Sequence, residues 1–235
     1  MNKMVGLSRA IKQEWLNKTV EYILQGDDEI TIKEKLHEYL SYEISSPTVL
    51  RKTREILLNI WVRSEKDYSN IHDKAIQAYI TERSNKLALN WAMLLLTYPV
   101  FSDVSGLIGK ISKVQDTFTT SWLTEKLHEL WGERSTLFHT SGKILQTLKY
   151  LGAIENEKTG VYRINQYKIS DEHTILILLM SLIALEKKAY YEISELSRDS
   201  LFFPFEFSVS LELLHNSQDF ILENIGGNMV LTAVK

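Results

Sequence analysis

Ser135, Thr136, His139, Thr140, Lys143, Gln146 and Thr147 recur at the spacing that puts side chains on one side of an α-helix, with Arg134 at its start. That side carries hydroxyls, an imidazole and an ammonium, and no acid. The chemistry it offers is hydrogen-bond donation to an anion. Short Ser and Thr side chains let a ligand come close. Arg, Lys and His donate to phosphate oxygens or to guanine edges. A helix start adds backbone amides and a partial positive charge. The same polarity also describes a plain solvated face, so the pattern by itself leaves both readings open.

Other kinds of chemistry find few residues to carry them. The six histidines are His37, His72, His128, His139, His173 and His215, and none has another three to five residues away, so no zinc-helix spacing occurs. There is no cysteine, which excludes disulfides, thiolate metal sites and a thiol nucleophile. Gly106-Leu-Ile-Gly109 lacks both a third glycine and a following Lys-Ser/Thr, so it is no phosphate loop. No Gly-x-Ser-x-Gly elbow is present. Glu206 and Glu212 stand six apart in a mixed pattern that gives them no shared face. The expectation is a protein that is not an enzyme, with no catalytic residues, cofactor or metal.

The elements that would position the donor face are mostly helical. Apolar stripes predict helices over 8–25, from about 31 to 40 with Thr31 opening a capping box, after Ser46-Pro47 through Trp61, and over 67–80 and 85–97. Pro99 should break or bend the chain, with a sixth helix over about 101–114 beyond it. Near residue 116 the pattern changes. Asp116 to Thr120 offers polar cap residues before a helix over 120–131, which Gly132 ends. A helix over 134–150 comes next. Two short strands succeed it, about 153–156 and 161–165, with a turn over 156–160. Helix–turn–helix followed by a hairpin is the layout of a winged helix. Winged helices serve as protein–protein modules as well as DNA readers, and the spacing does not choose between them. Beyond 170 lie a core-like helix over about 171–188, a short helix over 193–198, an aromatic loop or edge over 201–205, a helix over 208–216 and a hairpin over 220–234 turning at Gly226-Gly227-Asn228.

Net charge is −3 over 235 residues, which looks unpromising for a nucleic-acid binder, but the average hides a pattern. Residues 46–63 hold four basic side chains (Arg51, Lys52, Arg54, Arg63) against one acid, Glu55. Residues 134–170 hold six, including Lys158 and Arg163 on the hairpin, against two. Residues 171–235 hold four against ten acids. A phosphate feels charge only within a Debye length of about 8 Å at physiological salt, so a basic footprint beside an acidic tail is compatible with DNA. Arg51, Lys52 and Arg54 could extend a phosphate track, or Arg54 could pair with Glu34, Glu38 or Glu43. The longest apolar run, Thr174 to Leu185, would span about 18 Å as a helix against about 30 Å of bilayer core. With no signal-peptide pattern in Met1 to Arg9, a cytoplasmic chain without membrane contact is expected.

Three stretches carry a family resemblance. Pro47-Thr-Val-Leu-Arg-Lys-Thr-Arg54, Leu87-Ala-Leu-Asn-Trp-Ala-Met-Leu-Leu-Leu-Thr-Tyr-Pro-Val-Phe-Ser-Asp103, and the block from Asp116-Thr-Phe-Thr through Leu127-His-Glu-Leu-Trp-Gly-Glu-Arg-Ser-Thr136 to Ile144-Leu-Gln-Thr-Leu-Lys-Tyr-Leu-Gly-Ala-Ile154 resemble the BrxA family, small accessory proteins of bacterial BREX phage-exclusion systems. The resemblance covers about residues 45–155 and rests on apolar spacing, Trp-Gly-x-Arg-Ser/Thr and Tyr-Pro. It implies a helical bundle similar to the antitermination factor NusB, winged-helix elements, DNA binding, and a place beside a methyltransferase, an ATPase and a phosphatase-like protein. Some family labels imply an inner-membrane protein, against which the short apolar run argues. The acidic 171–235 region matches least well.

The expected architecture is therefore mainly α. A NusB-like bundle over 1–115 precedes a winged helix-turn-helix over 116–170 and a small α+β part over 171–235. The expected function is non-enzymatic docking of double-stranded DNA, with Arg134, Ser135 and Thr136 near phosphate, His139 and Lys143 over the groove, Lys158 and Arg163 on the wing, and Arg51, Lys52 and Arg54 as a second patch. Two alternatives stand beside it. One is a scaffold that binds other BREX proteins through the winged helix and the aromatic segment 201–207. The other is NusB-like RNA binding.

Overall fold

The computed structural model of the protein describes residues 6–63, 66–81, 84–133 and 135–233. The chain is mainly helical with three small sheets. Helices α1 (Gln13–Leu24), α2 (Glu29–Ser41), α3 (Pro47–Trp61), α4 (Ser69–Tyr79) and α5 (Lys86–Thr97) form a bundle. The start of α3 agrees with the sequence pattern: the Ser46 hydroxyl accepts from the Val49 amide and Pro47 takes the first helical position, where no N–H is needed. The start of α2 does not. Asp28, not Thr31, is its cap, accepting from the Thr31 amide at 2.8 Å, so the helix begins earlier than the capping-box spacing suggests. Helix α1 also starts later than expected, because residues 7–11 are not helical; Leu7 and Ile11 are instead plugged fully into the core. The first turn expected of α4 is a separate 3-10 turn at 66–68.

Helix α5 lies at the centre, with ten of its twelve residues buried. Its one buried amide is fully engaged: Asn90 accepts from the Trp61 indole at 2.9 Å and donates to Asn17 at 2.8 Å. The chain does bend at Pro99, which opens α6 (Pro99–Ser112) two residues earlier than expected and sends it off at 119° to α5. Among the described residues no single helix is long and apolar enough to cross a membrane. The bent α5–α6 pair would suffice in length and composition, but much of it is core.

Helix α6 carries the chain into the second part. Strand β1 (Thr117–Thr119), α7 (Thr120–Trp131), α8 (Ser135–Tyr150), β2 (Ile154–Lys158) and β3 (Val161–Ile164) come next, and the strands form an antiparallel sheet ordered β1-β3-β2. Strand β1 has no counterpart in the sequence pattern, which offers 116–120 as cap residues only. Thr119 does both jobs, ending the strand and capping α7 by accepting from the Trp122 amide. Gly132 ends α7 with φ +75°, a region that favours glycine. The turn between β2 and β3 is shorter than expected, and the hairpin bulges between Asn156 and Lys158.

The last part returns to the bundle. Strand β4 (Tyr167–Lys168) pairs in parallel with β6 (Phe205–Glu206), a contact the spacing does not foretell. Helix α9 (Glu172–Glu186) packs on α4 and α5. Strand β5 (Tyr191–Glu192) leads into the single turn α10 (Ile193–Leu196). A 3-10 turn at 200–202, α11 (Leu211–Asn216) and the hairpin β7 (Phe220–Ile225) with β8 (Asn228–Ala233) complete the chain, and β5 joins that hairpin on the β8 side. One cluster of buried apolar side chains runs through all of these parts.

The aromatic segment expected to be a loop or edge for partners is interior. Phe202, Phe203, Phe205 and Phe207 are all buried. Phe203 and Phe205 pack edge-to-face with the Trp91 ring, whose indole N–H donates to the Leu201 carbonyl at 2.9 Å. Gly109 makes this possible: a Cβ there would lie 1.8 Å from the Ser200 carbonyl oxygen, so α6 can meet the 200–202 turn only through a bare backbone. A partner cannot dock on rings that already fill the core, and the scaffold alternative loses that surface.

Candidate nucleic-acid interface

Helix α8 is held on two sides. Leu137, Ile144, Leu145, Leu148 and Leu151 at its end are buried, as are Leu123, Leu127 and Trp131 of α7. The Trp131 indole donates to Asp103 on α6 at 2.8 Å. Phe118 stacks on Tyr162 across the β1–β3 ladder at 5.5 Å, fixing the sheet beneath. The second side is covered by the N-terminal segment. The Thr147 hydroxyl accepts from the Ile11 amide at 3.0 Å and donates to the Lys143 carbonyl at 2.9 Å. Lys12 pairs with Glu43, before α3, and lies over the Tyr150 ring at 5.8 Å.

This changes the donor face. Thr140 and Thr147, placed outward by helical periodicity, are buried; the tertiary partner of Thr147 lies 136 residues away, beyond what periodicity can report. What stays open is a narrower stripe. His139, Gly142, Lys143 and Tyr150 are exposed, with Gln146 half-buried among them, and no acid lies on it. Ser135 and Thr136 belong to the first turn of the helix, but their side chains, and the whole of Arg134, lie outside the described residues. Gly142 is missing from the donor face as the sequence defines it, although its angular position on the stripe is readable from the same spacing that selects His139 and Lys143.

The hairpin carries its charges in balance. Lys158 is exposed and has no ion-pair partner among the described residues. Arg163 is exposed but sits 3.4 Å from Glu157 and directly across the ladder from Glu155. The hairpin turn is tied down, since the Gly160 carbonyl accepts from the Thr120 amide at 2.9 Å, extending the β1–β3 ladder by one bond. Lys168, just beyond, approaches Glu206 at 4.0 Å.

The second basic stretch divides. Arg51 and Lys52 are exposed on α3 and have no ion-pair partner among the described residues. Arg54 is half-buried and points elsewhere, bonding Glu55 at 3.2 Å and the His37 ring nitrogen at 3.2 Å, and not Glu34, Glu38 or Glu43. Arg63 bridges Glu29 at 2.6 Å and Glu55 at 2.9 Å. Burial pushes the Glu55 carboxyl up, but hydrogen bonds from Arg63 and Arg54 outweigh it and hold the group below its ordinary value. Arg54 and Arg63 thus fasten α2 and α3 together. Among the described residues no group of His, Asp and Glu is placed to hold a metal ion.

Compared with protein-family models, with curated proteins and with solved structures, the chain matches none.

Proposed function

We propose that residues 116–170, backed by α6, form a winged helix and that the protein docks double-stranded DNA on the open stripe of α8, as a cytoplasmic, non-enzymatic accessory protein of a BREX-type phage-defence system. The observation that carries the reading is the acid-free stripe of His139, Lys143 and Gln146 on a helix backed by two packed faces. The element order supports it: helix, strand, helix, helix, then a hairpin whose second strand is central in the sheet. The defence role rests on the family resemblance alone. His139 and Lys143 would face the groove, with Arg134, Ser135 and Thr136 toward phosphate. Lys158 contributes more from the wing than Arg163, whose charge is offset by two glutamates. Arg51 and Lys52 extend the track, whereas Arg54 serves the bundle.

Docking of this kind works by counterion release. Neutralising five to seven phosphates gives a log–log salt slope of about −4.5 to −6. Fluorescence anisotropy of a labelled random duplex across salt concentrations tests it, with His139→Glu/Lys143→Glu beside the wild type. Steep salt dependence that the double variant loses supports the reading. No binding at low salt sinks it. Competition by single-stranded RNA in the same assay separates the NusB-like alternative.

A protein partner is the second reading, favoured now by a different feature. Leu130 is an exposed leucine at the rim of a cavity of about 490 Å³ lined also by Leu107, Lys110 and Leu185. Leu130→Asp would abolish co-purification of such a partner and leave DNA affinity unchanged.

A further inference from the structure

We infer that Gly142 is the point where α8 comes closest to bound DNA, and that its missing side chain sets how deeply the helix seats in the major groove. The inference rests on the DNA-binding reading above and adds to it a positioning residue.

The ten glycines separate by what the fold asks of them. Seven have positive φ, a region where other residues are strained. Two more, Gly106 and Gly109, lie in α6 against Ser200 and Leu201, and a Cβ at Gly109 would collide with backbone. Gly142 shares neither reason. It lies inside α8, is exposed, and a Cβ there would meet nothing within 4 Å among the described residues. Glycine is the least favourable helix-interior residue after proline. Among the described residues, then, nothing in the fold calls for glycine at this site, and it is a destabilising residue there.

Geometry supplies a use. Taking His139 as reference at 100° per residue, Gln146 and Tyr150 fall within about 20° of it, Lys143 about 40° to one side and Gly142 about 60° to the other. Gly142 is thus the flank of the open stripe opposite Lys143. A helix with its side chains is about 10–12 Å across, and the major groove of B-form DNA is about 12 Å wide. A helix seated there has no slack, and its flanks run along the two groove walls. Lys143 reaches one wall with charge. On the other, the absent Cβ lets the sugar–phosphate wall approach the helix backbone. An A-form duplex, whose major groove is deep and narrow, gives no such seat.

The test measures affinity for a labelled random B-form DNA duplex across salt, together with thermal melting, for wild type, Gly142→Ala, Gly142→Ser and Gly142→Leu. Expected is a loss of roughly five- to tenfold for Ala and Ser and a larger loss for Leu, the size that overfilling a tight contact produces. The salt slope should stay at the wild-type value, because no phosphate contact is removed. Melting should move the other way, Ala raising the midpoint by about 2–4 °C. Wild-type binding with equal affinity for all three variants overturns this inference and leaves DNA binding standing. A salt slope that falls with affinity also overturns it, since the loss would then be electrostatic. Melting that falls in Gly142→Ala overturns it in favour of a structural need for glycine. Failure of the wild type to bind the duplex overturns both this and the reading it rests on.

Discussion

The aromatic segment 201–207 and the donor face of α8 both stand out in the sequence as surfaces for a partner, and the fold treats them in opposite ways. The segment is drawn inward until its rings close on Trp91 and a helix backbone presses on Ser200. The α8 face is trimmed by a covering strand of chain, yet keeps an exposed stripe. Composition marks both, and only the packing of distant elements separates them. An apolar cluster attracts cover because burying it is worth about 25 cal/mol per Å² of apolar area, whereas a stripe of donors loses solvation when covered and stays out unless each donor finds a partner.

The comparison breaks most readily at Trp91. Trp91→Ala should cost about 3–5 kcal/mol of stability in denaturant titration, because the cavity lies among aromatic rings and leaves the Leu201 carbonyl without its donor. The folded fraction should bind DNA with unchanged affinity. A loss of affinity in that fraction would mean that the two surfaces are coupled.

Thr147→Val probes the boundary between covered and open. It keeps the shape but leaves the Ile11 amide buried without an acceptor, a cost of about 1–3 kcal/mol. If stability is unchanged, the N-terminal segment is not what closes that side of α8. On the open side, Lys143→Glu should weaken duplex binding by about tenfold or more and lower the magnitude of the salt slope by about one. A slope identical to the wild type's would place Lys143 away from phosphate.

Acid provides the mildest change. The hydrogen bond from Lys12 holds the Glu43 carboxyl below its ordinary value of 4.5, and Arg63 and Arg54 do the same for Glu55 against its burial. A carboxyl depressed in the folded state stabilises it above about pH 4.5, and that stability is lost as pH falls through the lower folded value. Denaturation midpoints should therefore drop below about pH 4.5, and Lys12→Met should flatten part of that fall. Both groups lie in partly exposed pairs, so the effect is small.

How far the sequence can be read depends on the same distinction. Helices α7 and α8 are legible to within a residue, because apolar stripes, a threonine cap and Gly132 all agree locally. The central place of α5 is legible from its nearly unbroken apolar face. Strand β1 is not, since three residues beside a cap show no alternation, and its only reason to be extended is β3, far along the chain. Periodicity places Thr147 on α8 at the correct angle and in the wrong environment. The open stripe is half legible: Lys143 and His139 by type, Gly142 only once the fold shows that nothing among the described residues asks for it.

The bond from the Ile11 amide to Thr147 has a consequence for how the chain is made. Synthesis delivers the N-terminal segment first, and contacts of large sequence separation are the last to repay their loop-closure entropy. For 136 residues of elongation the Ile11 amide has no native acceptor. The segment that closes this side of α8 can therefore be fastened only after Thr147 itself has been made, so its docking is a late, long-range step however early the bundle helices form.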